Sequence, residues 1–478
     1  MRNGDVSFWY STIDPVRRRS PLGGDLDADI AIVGGGLTGL WSAYYLREAL
    51  PDARIVVLEK EFCGFGASGR NGGWLSAEVP GNRSHYADIA ASRGRDGLEA
   101  NRRLTATMRA GVDEVLARVA AEHIDCDAVK SGVLHIARCP AQESRLRDEL
   151  DAEHHLDATD WEYLDAAALA ERLSIRGAQA AMFSPQCARV NPMKLTRGVA
   201  DAVERRGVTI HEDTAAIEIR PRSVRTNRGT VRAETILVCL EGFTATMPGR
   251  RRTLLPLNSS MIVTEVLPEA MWDEIGWEGA ELLGETAHAY TYSQRTADGR
   301  IALGGRGVPY RYGSGIDHDG ETQERTAQSL VDALHELFPA TVDVGIAHAW
   351  CGVLGVSRDW SASIDFDPTT GIGSASGYVG SGLTTTNVAA RTLRDEAMLA
   401  TLSVPQSDLL SALDGRNVAL VGNARALSGG RQGAAIDAAD LVVRINRAPM
   451  TSAESHGTRT DWLALAVRLP EADRQRLD

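Results

Sequence analysis

The sequence predicts an α/β protein with a Rossmann-like domain, and two observations near the N-terminus carry this prediction. An apolar run at 29–33 is followed by a glycine-rich turn and a helical stretch that stops near Pro51. A second apolar run, RIVVLE, then ends in Glu59. A strand, a glycine turn, a helix, a second strand and an acid, in this order, are typical of the first unit of a dinucleotide-binding domain.

The glycine turn has the spacing G-x-G-x-x-G, formed by Gly34, Gly36 and Gly39. The first glycine makes the tight bend, the second lets a pyrophosphate approach the backbone, and the third lets the helix pack closely on the strand. Leu37 and Thr38 begin the helix, where free N–H groups and a partial positive charge favour phosphates. The turn therefore predicts a dinucleotide site, with a glycine-rich turn of some other α/β fold as the alternative.

The residues around Glu59 distinguish between dinucleotides. An acid at this position accepts hydrogen bonds from a ribose and disfavours a 2′-phosphate, so FAD or NAD is favoured over NADP. The next segment, CGFGASGRNGGW, is rich in glycine and serine, as expected where a chain passes a flavin without side-chain clashes. A flexible surface loop is the alternative, but the polar side chains argue against it. FAD is the predicted cofactor, with contacts from Glu59, Lys60, Gly66, Ser68, Arg70, Asn71, Gly72 and Gly73.

The composition excludes several classes of protein. The chain has 478 residues, 43% of them hydrophobic, which is enough for a large core. Its net charge of −13 argues against nucleic-acid binding, and no apolar run is long enough to span a bilayer. Six scattered cysteines without a CxxC predict neither a zinc site nor a disulfide framework, and no metal is expected. With no secretory signal, the protein is expected to be cytoplasmic; its oligomeric state is not predicted.

Several segments together resemble one known family. SFWYST, VVLEKEFCGFGASGRNGGW, YSQRTADGRIALGGRG and GIGSASGYVGSGLTTTNVAARTLRD resemble the FAD-dependent D-amino-acid oxidase and glycine oxidase superfamily, most of all its gamma-glutamylputrescine oxidase branch. The resemblance covers about 7–395. It departs from the family pattern at 239–242 and at 357–363, positions that lie near the substrate in the family. The resemblance therefore implies the cofactor more firmly than the substrate.

The resemblance also implies a discontinuous organisation. A Rossmann-like FAD-binding domain alternates with an α+β substrate domain that carries an antiparallel sheet, and a linker and a short βαβ-like fragment follow. An amphipathic helix near 97–123 and the strand LPLNSSMIVTEVL fit the substrate domain. The predicted bounds are 25–80, 185–250 and 340–396 for the FAD-binding domain, 81–184 and 251–339 for the substrate domain, 397–416 for the linker, and 417–478 for the fragment.

The C-terminal glycine turn SASGYVGSGL is predicted to meet the flavin. In the resembling family, the helix that follows points its N-terminus at the N1–C2=O edge of the ring, where reduction leaves negative charge. A helix N-terminus stabilises such charge by about 1–2 kcal/mol; an ordinary glycine-rich helix entry is the alternative. Cofactor contacts are expected from Ala216, Gly352, Gly380, Ser381, Gly382, Leu383 and Thr384.

The implied reaction is oxidation of the C–N bond of an amine or amino acid. Hydride passes from the substrate to flavin N5, the imine hydrolyses, and O2 takes the electrons to give hydrogen peroxide. A small-molecule amine and O2 are the expected partners, and a gamma-glutamyl polyamine is one substrate that the resemblance implies. A flavin dehydrogenase that passes its electrons to a carrier is the alternative.

Candidate catalytic residues are Tyr290, Trp350 and Arg358, the last two in a loop expected at 350–360. Each has a purely structural role as the alternative to a catalytic one. Tyrosine on a strand often only packs against its neighbours, and Arg358 could simply pair with a nearby aspartate. Cys351 lies where some relatives link the flavin covalently, although cysteine is more often a small core residue. Further aromatic candidates for the pocket are Trp74, Tyr292 and Trp360.

The segment NVALVGNARALSGGRQGAAIDAADLVVRINRAP has the strand, turn, helix and strand of a nucleotide site, but neither G-x-G-x-x-G nor G-K-[ST]. Over 417–463 it resembles the donor-binding segment of sialyltransferase-like glycosyltransferases. Gly422, Asn423 and Asn446 match positions of that segment, whereas His456 does not match the motif of the catalytic histidine. An inactive donor-binding fragment is expected, with a glycosyltransferase fused to a flavoprotein remnant as the alternative.

Overall fold

The computed structural model describes residues 1–13, 17–305, 310–402, 418–421, 433–439, 441–445 and 462–464. The chain divides into two compact units, Met1–Ala400 and Thr401–Asp478. Among the described residues, no helix combines the length and the apolar character needed to cross a membrane.

The first unit is built of helices and strands that alternate along the chain. Its helices are α1 Phe8–Ser11, α2 Leu37–Ala49, α3 Arg83–Ser92, α4 Gly97–Ala121, α5 Pro140–His155, α6 Ala166–Ala170, α7 Pro192–Arg205, α8 Glu269–Ile275, α9 Glu324–Leu337 and α10 Gly382–Leu402. Its strands are β1 Arg2–Asn3, β2 Leu26–Asp27, β3 Ile30–Val33, β4 Ile55–Leu58, β5 Trp74–Ser76, β6 Val133–Ala137, β7 Glu162–Asp165, β8 Ala180–Ser184, β9 Cys187–Arg189, β10 Thr209–His211, β11 Ala216–Arg220, β12 Ser223–Thr226, β13 Thr230–Arg232, β14 Thr235–Val238, β15 Leu255–Thr264, β16 Leu282–Glu285, β17 Thr291–Arg295, β18 Ile301–Gly305, β19 Ile346–Val356, β20 Ser363–Asp367 and β21 Ile372–Ser376.

Six strands form the sheet that carries the glycine turn. Their order is β10-β4-β3-β14-β21-β20, and all neighbours are parallel except β20 and β21. The three central strands β3, β4 and β14 are buried along their whole length. Residues of α2, α7 and α10 cover one face, and the small sheet of β2 and β11 to β13 covers the other. Burial on both faces explains why these strands are continuous apolar runs in the sequence.

Nine strands form a second, mixed sheet in the order β1-β19-β15-β18-β17-β16-β6-β8-β7. Most neighbours are antiparallel, and the pairs β1–β19 and β16–β6 are parallel. Helices α8 and α9 pack on one face around Trp277, Leu334 and Phe338. The predicted fold class, a Rossmann-like domain beside an α+β domain with a largely antiparallel sheet, is confirmed.

Two predicted boundaries differ from the structure. Strand β19 pairs with β15 from Ile346 to Val356, so these residues belong to the second sheet and not to the sheet that carries the glycine turn, although the predicted bounds 340–396 grouped them with it. Helix α10 continues to Leu402, past the predicted start of the linker at 397. The hydrogen-bond partners of a strand decide which sheet it joins, and a linear apolar pattern does not reveal them.

The described part of the second unit is a small parallel sheet. It comprises β22 Val418–Val421, helix α11 Gly433–Asp437, β23 Leu441–Ile445 and β24 Trp462–Ala464, with the strands in that order. This arrangement agrees with the predicted βαβ-like fragment. Gly422, Asn423, Asn446 and His456 lie outside the described residues.

Candidate active site

A cavity of about 910 Å³ joins the glycine turn after β3 to the inner wall of the second sheet. A volume of this size lies at the upper end of the range for small-molecule and cofactor sites. Most predicted cofactor contacts line it, namely Gly34, Gly36, Leu37, Thr38, Glu59, Lys60, Gly66, Ser68, Arg70, Asn71, Gly72, Ala216, Gly352, Gly380, Ser381, Gly382 and Leu383. Three predicted contacts, Gly39, Gly73 and Thr384, are not among its described lining residues.

The glycine turn has the geometry of a phosphate cradle. Gly34 has a φ of 114°, in the region that favours glycine, and a Cβ on Gly39 would collide with the Gly34 carbonyl oxygen. A Cβ on Gly36 would meet only Ser68 Oγ, at 3.0 Å, so this position leaves the backbone open to a ligand. Among the described residues, the N–H groups of Gly36 and Thr38 donate to no protein acceptor. Free N–H groups at a helix N-terminus fit a pyrophosphate.

Glu59 follows the end of β4 at the edge of this cradle. Its carboxylate accepts hydrogen bonds from the N–H groups of Gly35, at 2.7 Å, and Glu61, at 2.9 Å. Burial raises the pKa of Glu59 to about 7, although these two N–H groups act in the opposite direction. The carboxylate is thus held in place at the cavity wall, where a ribose hydroxyl could reach it.

The glycine- and serine-rich loop after Glu59 is tightly bonded, so the alternative of a flexible loop is wrong. The Arg70 side chain, 1% exposed, donates to the carbonyls of Phe65 at 2.6 Å and His318 at 2.7 Å, and more weakly to those of Asp317 and Cys351. Burial lowers the pKa of Arg70 to about 10. Because the Arg70 guanidinium donates its hydrogen bonds to backbone carbonyls, its role is to hold the conformation of the loop.

The N-terminal aromatic segment supports the same loop from behind. Ser7 Oγ donates to the Gly69 carbonyl at 2.8 Å, and Trp9 Nε1 donates to the Asn71 carbonyl at 2.8 Å. Trp350 is fully buried, and its Nε1 donates to the Arg70 carbonyl at 2.9 Å. Side chains distant in sequence therefore hold the loop that lines the cavity.

Two predicted catalytic residues lie away from the cavity. Trp350 sits inside β19 and packs on Phe8 and Trp9, so it supports the wall and cannot touch a substrate. Arg358 is exposed on a turn after β19 and is not among the described lining residues. The prediction of a loop over 350–360 is wrong for Trp350, because β19 extends to Val356, whereas Arg358 does lie in the turn that follows. Tyr290 does line the cavity, just before β17.

Cys351 is also turned away from the cavity. Its sulfur lies 3.5 Å from Asp317 Oδ2 and 3.4 Å from the Glu321 carbonyl, and it is not among the described lining residues. Burial raises the pKa of its thiol to about 12. A buried, protonated thiol that faces other residues does not favour a covalent link to the flavin.

The inner wall of the second sheet combines glycines with aromatic rings. A Cβ on Gly304 would collide with the Tyr292 ring, and a Cβ on Gly284 would meet Trp74 at 3.2 Å. Tyr292 Oη lies 3.1 Å from Ser259 Oγ, and the Trp74 and Tyr292 rings meet edge to face at 6.1 Å. The glycines therefore make room for two aromatic side chains that face the cavity.

An ion pair that the sequence analysis missed lies between this wall and α10. His135 Nε2 on β6 is 3.4 Å from Glu78 Oε1, and the Ser381 side chain also helps to lower the pKa of this carboxyl group. Burial opposes the charge on both groups, but their mutual attraction lowers the pKa of Glu78 and, with the charge of Glu149, raises that of His135. The only sequence signal was an acid in the apolar stretch WLSAEVPG, directly after the predicted flavin loop.

The ion pair predicts a pH window for stability. His135 contributes fully to the free energy of unfolding below its unfolded pKa of about 6.5, and this contribution is lost as the pH rises through its raised folded pKa. Glu78 contributes fully above its unfolded pKa of about 4.3, and its contribution is lost as the pH falls through its lowered folded pKa. His135→Asn should therefore lower the melting temperature most between about pH 4.5 and 6.5. Thermal unfolding across pH checks this, with the exposed His155→Asn as control. An equal deficit at all pH values would contradict it.

Sequence comparison identifies the family. A family model described as FAD dependent oxidoreductase matches residues 29–396, which is more than half of the chain. The chain belongs to this FAD-dependent oxidoreductase family. A second model, glycosyltransferase family 29 (sialyltransferase), matches residues 384–468 and agrees with the resemblance of the C-terminal fragment.

Relatives of the FAD-dependent oxidoreductase family agree with this placement. The chain is 28% identical over 397 residues to the gamma-glutamylputrescine oxidoreductase of Escherichia coli (strain K12), covering 81% of this chain and 88% of that protein. It is 25% identical over 358 residues to the sarcosine oxidase subunit beta of Rhizobium meliloti (strain 1021), covering 71% and 77%. The glycine oxidase structure from Bacillus cereus ATCC 14579 matches with a TM-score of 0.62 at 17% identity, covering 78% and 95%, and supports the fold.

FAD is the cofactor of this family, and the described residues fit it. The open backbone at Gly36, the free N–H groups at the start of α2 and the carboxylate of Glu59 suit its pyrophosphate and ribose. At the other end of the cavity, α10 begins at Gly382 beside the lining residues Gly380 and Ser381. The chain is therefore an FAD-dependent oxidoreductase acting on amines or amino acids.

Proposed function

We propose that the chain oxidises the C–N bond of an amine to an imine, which water hydrolyses, with O2 as electron acceptor and hydrogen peroxide as the second product. FAD, when bound, supplies the hydride acceptor. The observation that supports this most is the Glu78–His135 pair, which lines the same cavity as the glycine turn and contacts Ser381 at the start of α10.

The ion pair suits the handling of an amine. An amine gives up hydride only when its nitrogen is neutral, so the substrate ammonium must first lose a proton. The Glu78 carboxylate attracts the ammonium, and the Glu78–His135 pair can then hold the proton that leaves it. Trp74 and Tyr292 form an apolar wall beside the pair and limit the access of water to the reacting carbon.

Charges further along the cavity favour a substrate with an amino-acid head group. Arg145 and Glu149 lie four residues apart on α5, and both line the cavity. Such residues commonly pair, but Arg145 Nε donates to the Thr286 carbonyl at 2.9 Å, and no ion pair joins the two side chains in the part of the chain that the structure describes. Within the described residues, a cation and an anion that form no ion pair with each other suit a zwitterionic head group, which a gamma-glutamylated amine carries.

The gamma-glutamylputrescine oxidoreductase of Escherichia coli (strain K12) supports the same substrate class. It is named for gamma-glutamylputrescine and covers most of both chains. A gamma-glutamylated polyamine is therefore the first candidate, ahead of glycine or sarcosine, which lack a second amine that could meet Glu78 while the head group meets Arg145 and Glu149.

A panel of amines tests the proposal. The holoprotein is supplied with gamma-glutamylputrescine, putrescine, glycine, sarcosine and D-alanine, and O2 uptake and peroxide are recorded. We expect kcat/KM for the gamma-glutamylated amine to be at least about ten-fold above that for putrescine, because about 1.4 kcal/mol of head-group binding is enough for this ratio. One peroxide should form per amine oxidised.

The same panel separates the alternatives. Oxidation with an artificial dye but without O2 uptake would contradict the role of O2 and indicate a dehydrogenase. Equal kcat/KM for all five compounds would contradict the preference for a zwitterionic head group. Absence of turnover with every amine and both acceptors would contradict amine oxidation.

A further inference from the structure

Glu241 stands where the chain departs from its family pattern, in the segment Cys239, Leu240, Glu241 and Gly242, and all four residues line the cavity. It follows β14 and opens a short 3-10 turn, Glu241–Thr246. Its φ of 46° lies in the left-handed region, which residues with a side chain seldom adopt. Such a conformation persists only where surrounding contacts enforce it.

The contacts that enforce it come from two other segments. One carboxylate oxygen of Glu241 accepts a hydrogen bond from the N–H of Gly355, near the end of β19. The other oxygen accepts from the N–H groups of Gly377, at 3.1 Å, and Tyr378, at 3.2 Å, in the turn before α10. A Cβ on Gly355 would lie 2.7 Å from the carboxylate, so this glycine leaves room for the acid.

The turn that Glu241 holds is also connected to the start of α2. Tyr378 Oη lies 3.0 Å from Thr38 Oγ1, at the start of α2, and both residues line the cavity. A continuous path therefore runs from the carboxylate through Tyr378 to the helix expected at the pyrophosphate. This path fixes the spacing between the glycine turn at 34–39 and the glycine turn at 377–382.

We propose that Glu241 is a positioning residue for FAD: its carboxylate holds the 377–382 turn in the geometry that receives the cofactor, so that the cavity is preformed. Both carboxylate oxygens are needed, because three backbone N–H groups converge on them. Burial raises the pKa of Glu241 to about 7, while the same N–H groups act in the opposite direction. A protein that binds a dinucleotide in a preformed site saves the free energy of ordering the loop.

The test measures the rate of FAD release from the holoprotein, by the rise in flavin fluorescence after dilution. Glu241→Gln keeps the size of the side chain but replaces one acceptor oxygen with an NH2 group, which cannot accept from a backbone N–H. We expect at least ten-fold faster release. The matched control is Glu265→Gln, an exposed residue in an ion pair with Arg300, which should release FAD as the wild type does.

A second variant keeps the test decisive if Glu241→Gln does not fold. Tyr378→Phe removes only the hydroxyl that meets Thr38 and should accelerate FAD release in the same direction, by a smaller factor. Melting of the FAD-free protein is measured alongside, since a merely structural role would lower the melting temperature without changing the release rate. Wild-type release rates in either folded variant would overturn the proposal.

Discussion

Replacing Gly36 with alanine is expected to weaken FAD binding at least 100-fold, so that the purified protein loses its yellow colour. A Cβ at this position would meet only the Ser68 side chain, whose Oγ lies 3.0 Å away, and the φ of −83° suits alanine, so the FAD-free protein should fold normally. The methyl group would instead occupy the space through which a pyrophosphate approaches the backbone. A 100-fold loss corresponds to about 2.7 kcal/mol.

The measurement is a fluorescence titration of FAD-free protein with FAD. Gly23→Ala is the matched control, because a Cβ on Gly23 meets nothing within 4 Å, and its FAD affinity should equal that of the wild type. A Gly36→Ala protein that melts like the wild type and also binds FAD with wild-type affinity would show that the pyrophosphate does not lie at this turn.

The second large effect is expected at the ion pair between Glu78 and His135. Glu78→Gln should lower kcat/KM for the preferred amine about 100-fold, or about 2.7 kcal/mol, because the amide keeps the shape of the side chain but neither attracts an ammonium nor accepts its proton. FAD content should stay near the wild-type level, since, among the described residues, Glu78 makes no contact with the glycine turn at 34–39, and the flavin absorbance of the purified variant checks this.

Stopped-flow reduction of the flavin by the amine provides the readout, at several pH values. Flavin reduction should be slower in the variant than in the wild type. The titration of the Glu78–His135 pair should no longer appear in the pH dependence of the reduction rate. The exposed Glu265→Gln again serves as control, with wild-type kinetics expected. Wild-type kcat/KM in Glu78→Gln would contradict the role of this carboxylate in handling the amine.

The cofactor end could be predicted because its signals are local in sequence. Gly34, Gly36 and Gly39 lie within a single turn, and Glu59 directly follows the adjacent strand β4. The resemblance also paired the N-terminal SFWYST with the ASGRNGG loop, and the structure supplies the physical reason. Hydrogen bonds from Ser7 and Trp9 to that loop require both segments together.

The substrate end could not be predicted in the same way, because its contacts join segments far apart in the chain. His135 lies on β6, whereas Glu78 lies in the connection after β5, and neither residue belongs to a recognisable motif. Trp350 is an aromatic residue of the kind that often lines a pocket, but the register of β19 points its side chain into the core, where it packs on Phe8. Glu241 looked like a departure near the substrate, and only the hydrogen bonds to Gly355 and Gly377 reveal its positioning role.

Anaerobic addition of gamma-glutamylputrescine to the purified holoprotein tests the central claim most directly. The visible absorption bands of oxidised flavin should be present before the addition and should bleach within the mixing time of a stopped-flow experiment or over seconds, in proportion to the amine added. Admission of O2 should restore them and release peroxide. Bands that persist unchanged with this compound and with every other amine of the panel would contradict the assignment of an amine as the substrate.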